Sequence, residues 1–266
     1  MLALRQTILN DMNTCGFMCY KRWNEVGQLG IADKEELTNK YARVGIDFHE
    51  TMEEWGKRKM NGKTMTLEEM KKLCNDKLNA EDKSLFENDD EIEMYRNSLM
   101  EQLEWAYENT HCAEATPLGV EVTFDIEELL PGLLRFHGTI DRIDGVLQDK
   151  EIHLSDYKTG KVYTKKQLAN NMQAGIYSLA FFKMYGFFPK TFSFYFTKFK
   201  KIKTIQITPE FLKLSAENIL SNWLRIKNKD WEASCKNTYF CKHFCDFYKE
   251  CPKFKKVRTG TAWDNI

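Results

Sequence analysis

A carboxylate and an ammonium group stand two residues apart in the segment Asp156-Tyr157-Lys158-Thr159-Gly160. In an extended strand successive side chains alternate, so Asp156 and Lys158 are expected to project from the same face. Carboxylate oxygens bind Mg²⁺ or Mn²⁺, and a nearby ammonium group can orient or activate an attacking water. With a second carboxylate close by, this pair has the chemistry needed for phosphodiester hydrolysis.

Two further acids are candidates to join this pair, Asp141 as the second carboxylate and Glu121 as a third acid. Asp141 lies in the segment Gly138–Asp144, and Glu121 lies in an alternating stretch that predicts the first strand. A D-x-K triplet alone usually marks a surface ion pair, so these acids do not by themselves establish a site. The surrounding sequence has to decide between the two interpretations.

Two pairs with helical spacing strengthen the catalytic interpretation. His49 and Glu53 lie four residues apart in a predicted helix, and Gln173 and Tyr177 do so in another. Residues with this spacing share one helix face. A lone histidine such as His49 is more often structural, but here it precedes the acids and the lysine in a consistent order.

The elements that must position these residues change character along the chain. Apolar residues at helical spacing precede residue 110, whereas β-branched and aromatic residues alternate from Gly119 onward. Helices are predicted at 41–59, from about Leu67, at 90–109, from Thr164 to near Gly186, and at 209–227. Strands are predicted at 119–126, 133–140, 145–148 and 152–157, around 192–196, and at 202–207. The predicted fold is α/β, with a helical insertion at 57–109 inside a single domain of residues 1–266.

Composition fits a globular protein without a membrane segment. The chain has 266 residues, 42% hydrophobic and 29% charged, with a net charge of zero. No apolar run approaches the roughly 20 residues of a membrane helix, and the N-terminus has no signal-peptide pattern. We therefore expect no membrane partner and a cytoplasmic location. The lysines between Lys190 and Lys203 have no acid among them and could hold a phosphate backbone locally, although such runs are more often solvated faces.

Taken together, the ordered motifs resemble the RecB-like branch of the PD-(D/E)XK nucleases. The motifs are G-x-x-x-H at 45–49, E-x-x-F at 121–124, G-x-x-D-R-I-D at 138–144, D-Y-K-T-G at 156–160 and Q-x-x-x-Y at 173–177. The resemblance implies a restriction-endonuclease-like core, in which helices flank a mixed central sheet. It also implies that His49, Asp141 and Asp156 bind Mg²⁺ or Mn²⁺, together with the main-chain carbonyl of Tyr157.

The same resemblance assigns roles to the remaining motif residues. Lys158 would be the catalytic lysine, while Gln173 and Tyr177 would contact the substrate or support the site. Glu121 would act in catalysis by bracing either Lys158 or Arg142.

Cysteines cluster near both ends of the chain. Cys15 and Cys19 lie near the start, and Cys235, Cys241, Cys245 and Cys251 lie in a cysteine-rich segment at 230–258. Four thiolates can hold Zn²⁺ or a [4Fe–4S] cluster, and spacing does not choose between them.

The resemblance extends to CRISPR-adaptation and AddB-type nucleases and favours the iron–sulfur cluster. It implies Cys15, Cys241, Cys245 and Cys251 as ligands, which would form a cysteine clamp joining the two ends of the chain. Three residues separate Cys241 from Cys245 where the family usually has two. Cys19 or Cys235 is therefore an alternative ligand.

Three functions are compatible with these patterns. The favoured one is a metal-dependent DNA exonuclease that prefers single strands or DNA ends and serves recombination, repair, phage DNA processing or CRISPR adaptation. The alternatives are an inactive nucleic-acid-binding module and a zinc-stapled interaction protein. No G-x-x-x-x-G-K-[ST] motif is present, so unwinding would come from a partner. The sequence leaves open whether the chain has a recombination, helicase or CRISPR-adaptation partner and whether it self-associates. If the chain is encoded by a phage, the expected location is the host cytoplasm.

Overall fold

The secondary structure comes from a computed structural model that describes residues 4–24, 40–80, 85–109, 115–132, 135–234 and 238–254. The helices are α1 Gln6–Thr14, α2 Gly16–Cys19, α3 Lys40–Met60, α4 Leu67–Ala80, α5 Asp89–Asn109, α6 Lys165–Ala169, α7 Met172–Tyr185, α8 Pro209–Lys227 and α9 Thr238–Phe244. The strands are β1 Gly119–Ile126, β2 Phe136–Val146, β3 Glu151–Lys158, β4 Thr191–Phe196 and β5 Lys201–Gln206. Among the described helices, none combines the length and the apolar character needed to cross a bilayer.

The five strands form one mixed sheet in the order β1-β2-β3-β4-β5. Strands β2 and β3 are antiparallel, β3 and β4 are parallel, and β4 and β5 are antiparallel. A parallel pair requires a crossover connection, and here α6 and α7 supply it. The predicted mixed sheet flanked by helices is confirmed.

The described residues divide into two units. One contains those of Met1–Ala32, Asp125–His137 and Lys213–Ile266, and the other contains those of Asp33–Phe124 and Gly138–Leu212. The predicted insertion at 57–109 corresponds to the end of α3 together with α4 and α5. Its role as an insertion within a single domain stays a prediction.

The core of the second unit lies between α3, α4, α5 and one face of the sheet. Phe48, Met52 and Trp55 of α3 are buried, and Tyr157 and Tyr195 of the sheet belong to the same cluster. Each large apolar side chain that is removed from water contributes about 1.5–3 kcal/mol to stability. The apolar face predicted for α3 is thereby confirmed, and its burial holds this helix next to β3.

The apolar face predicted for α5 is partly wrong. Leu99 and Leu103 are buried, but Met94 is 58% exposed. Met94 precedes Leu99 by five residues, which places it on a different side of a helix with 3.6 residues per turn. Ile92 occupies the buried face instead.

Two element boundaries also differ from the prediction. Residues 133–140 and 145–148 were predicted as separate strands, but β2 runs without interruption from Phe136 to Val146. The single helix predicted from Thr164 to Gly186 is two helices, because Asn171 begins α7 by accepting a hydrogen bond from the Ala174 amide. The capping box of Thr164 and Gln167 begins α6 as predicted.

The first unit joins elements from both ends of the chain. The backbone of Leu4 pairs with Phe136 at the start of β2. In the same unit, the Arg225 guanidinium on α8 donates to the carbonyl of Met12 over 2.9 Å. A Cβ at Gly16 would lie 2.4 Å from the carbonyl oxygen of Asp230, so α2 begins in close contact with the chain that follows α8.

Gly145 has a backbone conformation that an L side chain rarely adopts. Its φ is +120°, and a Cβ there would lie 1.8 Å from the carbonyl oxygen of Glu151 across the β2–β3 pair. We expect Gly145→Ala to lower the free energy of unfolding by about 2 kcal/mol or more. The alanine would be held in a strained backbone conformation, and its Cβ would clash with a backbone atom of β3, which cannot move aside as a side chain can. Gly160→Ala is the control, since a Cβ there meets nothing within 4 Å. Denaturant unfolding of both variants checks this, and equal stabilities would contradict it.

Candidate active site

His49 and Asp141 meet at the main chain of Tyr157. The backbone amide of Tyr157 donates to Asp141 Oδ2 over 3.0 Å. His49 Nε2 lies 3.1 Å from the Tyr157 carbonyl oxygen, and His49 Nδ1 lies 3.3 Å from Asp141 Oδ2. Helix α3 and strands β2 and β3 therefore bring two potential ligands and a carbonyl oxygen to one place.

Glu121 completes a set of three donors. One donor atom each from His49, Glu121 and Asp141 lie within 4.8 Å of one another. Donors on adjacent corners of an octahedron around Mg²⁺ are about 3 Å apart, since each metal–oxygen bond is about 2.1 Å. The set is compact enough to close around a divalent cation.

The backbone at Glu121 is strained. Its φ of +47° lies in the left-handed region, which a non-glycine residue seldom enters, within a strand. Such a conformation costs roughly 1–2 kcal/mol. Backbone strain is often found at functional sites, where the position of a side chain matters more than stability. The strain thus accompanies placement of the Glu121 carboxylate beside His49 and Asp141.

Asp156 is held by two other side chains. The Gln173 side-chain amide donates to Asp156 Oδ1, and Lys158 Nζ lies 2.8 Å from Asp156 Oδ2. Only 2% of Asp156 is exposed. Helix α7 reaches this carboxylate because it belongs to the crossover between β3 and β4. Asp156 is thus adjacent to the donor set without being one of its three members.

Burial and crowding raise the pKa values of two carboxyl groups. Burial is the main cause at both, and it raises the pKa of Asp141 to about 6 and that of Glu121 to about 7. The negative charge of Asp156 adds to the effect at Asp141, and Asp141 adds to it at Glu121. A bound cation would offset this repulsion.

Lys158 is a cation at neutral pH. Burial opposes its charge, but the nearby Asp156, Tyr163 and Asp141 outweigh burial and raise its pKa. Its ammonium group also lies 5.9 Å from the centre of the Phe194 ring. It therefore offers a positive charge and hydrogen-bond donors.

Tyr163 is part of this environment, and sequence analysis did not identify it. Its ring packs edge-on against Phe194 and Phe196, and burial raises the pKa of its hydroxyl. It follows the D-Y-K-T-G segment by three residues and belongs to none of the recognised motifs. Only the fold shows that it lies near Lys158.

Two members of the donor set, His49 and Glu121, line a cavity of about 310 Å³. Its lining residues are Gly45, Ile46, His49, Glu50, Glu53 and Glu121. Glu53, on the His49 face of α3, pairs with Lys57 over 2.5 Å. Gly45 of α3 lies beside the D-Y-K-T-G segment, since a Cβ there would lie 3.6 Å from Thr159 Oγ1, an ordinary contact distance.

The remaining sequence-predicted residues have different surroundings. Tyr177 packs against the rings of Phe124 and Phe192, and burial raises the pKa of its hydroxyl. Arg142 forms a buried ion pair with Asp144, with atoms 2.8 Å apart. The two bracing roles suggested for Glu121, toward Lys158 and toward Arg142, both stay predictions.

The four predicted cluster cysteines line a second cavity of about 310 Å³ within the first unit. Cys15, Cys241, Cys245 and Cys251 share it with aromatic and aliphatic side chains that include Phe17, Met18, Phe240, Tyr248 and Phe254. Burial raises the pKa of Cys245. The structure therefore brings the two ends of the described chain together at these thiols.

Of the two alternative cluster ligands, Cys19 and Cys235, only Cys19 lies within the described residues. Cys19 is buried outside this lining, where its thiol donates weakly to the carbonyl of Ile8 over 3.7 Å and burial raises its pKa to about 12. Cys235 lies outside the described residues. Cys74, buried in the core of the other unit, is separate from the cavity.

Comparisons with known proteins agree with this architecture. The family model for the PD-(D/E)XK nuclease superfamily matches residues 7–252. A crystal structure from Eubacterium rectale named "Putative exonuclease" aligns over 93% of this chain and 87% of that chain, with a TM-score of 0.52 and 12% identity. At this identity the likeness shows the fold alone. No curated protein matches the sequence.

The crowded carboxyls predict a pH-dependent stability. A carboxyl with a raised folded-state pKa favours the folded protein at low pH, and this contribution is lost as pH rises from about 4 to about 6 for Asp141. We expect Asp141→Asn to stabilise the metal-free protein by on the order of 2 kcal/mol at pH 8, with little effect at pH 4. It should also weaken stabilisation by Mn²⁺.

Thermal unfolding at both pH values, with and without Mn²⁺, measures these effects. The exposed Asp149→Asn is the control for loss of one negative charge. If the Asp141 variant is no more stable than wild type at pH 8 and retains the full Mn²⁺ effect, the arrangement of ligands is wrong.

Proposed function

Because the chain belongs to the PD-(D/E)XK nuclease superfamily, we propose that it is a DNA nuclease that depends on Mg²⁺ or Mn²⁺. The observation that carries this proposal is the donor set of His49, Glu121 and Asp141 beside the Asp156–Lys158 pair. A carboxylate-rich set with a lysine nearby has the groups that phosphodiester hydrolysis uses.

The donors suit a hard divalent cation. His49, Glu121 and Asp141 would hold it, with the Tyr157 carbonyl as a further oxygen ligand and Asp156 at the boundary of the site. Oxygen ligands with a single imidazole fit Mn²⁺ and Mg²⁺ better than thiophilic metals. When bound, such a cation polarises the scissile phosphate and lowers the pKa of a coordinated water.

Lys158 acts through its charge. Because its pKa is raised, it does not accept a proton at neutral pH. Its ammonium group stabilises negative charge that develops on the phosphate and orients the attacking water by donating a hydrogen bond. Asp156, 2.8 Å away, keeps the ammonium group in place, and Gln173 keeps Asp156 in place.

We further propose exonuclease action on single strands or DNA ends. The absence of a P-loop motif from the sequence supports an already unpaired substrate or a helicase partner. The name of the Eubacterium rectale protein also supports exonuclease action. Recombination, repair, phage DNA processing and CRISPR adaptation all use such an activity. The clustered cysteines also support a cytoplasmic location, because in a reducing compartment such clusters more often bind a metal or an iron–sulfur cluster than form disulfides.

We also propose a [4Fe–4S] cluster in the cysteine cavity, with Cys15, Cys241, Cys245 and Cys251 as ligands. The four thiols share one cavity with aromatic and aliphatic side chains, which suits a buried cluster, and a cluster there would join the two chain ends.

Lys158→Ala tests the catalytic role. We expect stabilisation by Mn²⁺ to persist, because the lysine is not a ligand, and cleavage to fall by a factor of about 100 or more. The measurement is digestion of end-labelled single- and double-stranded DNA with Mn²⁺ and with EDTA. Lys183→Ala, an exposed lysine on α7, is the control. Normal cleavage by the Lys158 variant would move catalysis elsewhere, and a wild type without metal-dependent cleavage would favour an inactive binding module.

Loss of a cluster ligand should remove colour, iron and stability together. Anaerobically purified wild type is expected to be brown, with about four iron atoms per chain. Cys251→Ser should lose both, and its melting temperature should fall because metal binding is coupled to folding. Cys74→Ala should keep its iron. Elemental analysis decides the question. About one zinc atom and no iron per chain would contradict the cluster and indicate a zinc site instead.

A further inference from the structure

Four lysines of the hairpin between β4 and β5 are available to bind an anion. Lys198, Lys200 and Lys201 are exposed, and Lys203 is half-buried. Within the described part of the chain, none of the four has an ion-pair partner. Other lysines do pair with acids, for example Lys72 with Asp76 and Lys190 with Glu151. We call residues 197–203 the basic hairpin.

Strand register places this hairpin on the catalytic face of the sheet. Lys158 is paired with Phe196, which is paired with Lys201. In the next row, Asp156 is paired with Phe194, which is paired with Lys203. Paired residues on neighbouring strands point to the same face. Because strands are about 4.8 Å apart, Lys201 and Lys203 begin about 10 Å from the catalytic pair.

The turn is attached to the catalytic strand. Thr197 is fully buried, and its hydroxyl donates to the Gln102 side-chain oxygen over 2.6 Å. The same hydroxyl lies 3.4 Å from the carbonyl oxygen of Lys158. Lys200 completes the turn in the left-handed region, with a φ of +52°. The basic hairpin therefore has a defined position relative to Lys158.

Phe199, an exposed aromatic residue, lies between Lys198 and Lys200 in the sequence of the hairpin. Phe199 is 45% exposed, although it lies in a turn where a polar residue would cost less. An aromatic ring beside cationic side chains is the combination that binds unpaired nucleic acid, since bases stack on the ring and phosphates contact the cations. An acidic peptide would use the lysines but would have less use for a planar ring.

We propose that the basic hairpin binds an unpaired DNA strand and directs it toward Lys158. Lys201 and Lys203 contact phosphates, and Phe199 stacks on a base. This inference rests on the proposed nuclease function and adds a binding surface to it. The active-site residues themselves do not predict a preference for unpaired DNA, whereas a stacking ring does, because bases within a duplex are already stacked.

The test measures binding separately from cleavage. The full-length protein in EDTA is titrated against a fluorescein-labelled oligothymidylate and a labelled duplex, with fluorescence anisotropy recorded over a series of salt concentrations. The variants are Lys201→Gln/Lys203→Gln and Phe199→Ala. The control is Lys183→Gln/Lys190→Gln, which removes the same charge from exposed positions outside the hairpin.

For the lysine pair, we expect the slope of log K against log salt to become shallower by about 1.4, since each phosphate contact on a single strand contributes about 0.7. For Phe199→Ala, single-strand affinity should fall about fivefold or more while duplex affinity changes little. The control should keep the wild-type slope.

Two results would overturn the proposal. One is an unchanged slope and unchanged single-strand affinity in the hairpin variants, and the other is an equal loss in the control. Cleavage by wild type with Mn²⁺ is assayed in parallel. If wild type cleaves DNA but the hairpin variants bind it as wild type does, the role of the hairpin is rejected and the nuclease proposal stands. If wild type binds DNA through the hairpin but never cleaves it, the nuclease proposal is rejected and the role of the hairpin stands.

Discussion

The burial of several carboxyl groups beside one another at β1, β2 and β3 is the constraint that shapes the candidate site. Burial is the main cause of the raised pKa values of Asp141 and Glu121, and repulsion adds to it, from Asp156 at Asp141 and from Asp141 at Glu121. Folding alone gains nothing from this arrangement, since hydrophobic core packing does not require buried like charges. A divalent cation bound between these carboxylates would offset the free-energy cost of burying them together. The strained backbone of Glu121 is a second local cost with the same explanation.

The surrounding elements serve to hold these acids in place. Burial of the apolar face of α3 puts His49 against the Tyr157 carbonyl, and the amide of Tyr157 fixes Asp141. The parallel pairing of β3 with β4 requires a crossover, and the crossover brings Gln173 to Asp156. Each polar contact at the site is thus a consequence of packing elsewhere in the unit.

Lys158 shares one face of the sheet with the lysines of β5, which lies two strands away. The charge of Lys158 is stabilised by the nearby acids, whereas Lys201 is exposed to solvent and Lys203 is half-buried. The sheet arranges both groups on one face, because side chains alternate along every strand and strand pairs keep a common register. A polyanionic strand that lies across this face would meet unpaired lysines before it reaches the catalytic one.

The candidate site residues and the order of most elements could be predicted from the sequence alone. Alternation placed Asp156 and Lys158 on one face, helical spacing identified the buried face of α3, and the motif series identified His49 and Asp141 as neighbours. The break between α6 and α7 was missed, because the cap at Asn171 lies inside an otherwise helical pattern. The sequence predicts Glu121 as a third acid or as a brace, and the structure brings its carboxylate beside His49 and Asp141. Tyr163 and the register of the basic hairpin with Lys158 have no local sequence signal. Only tertiary structure could decide these points, since they depend on strand register, a strained backbone angle and contacts between residues distant in sequence. Local pattern encodes which face a side chain takes, whereas the packing of the whole sheet decides what it meets there.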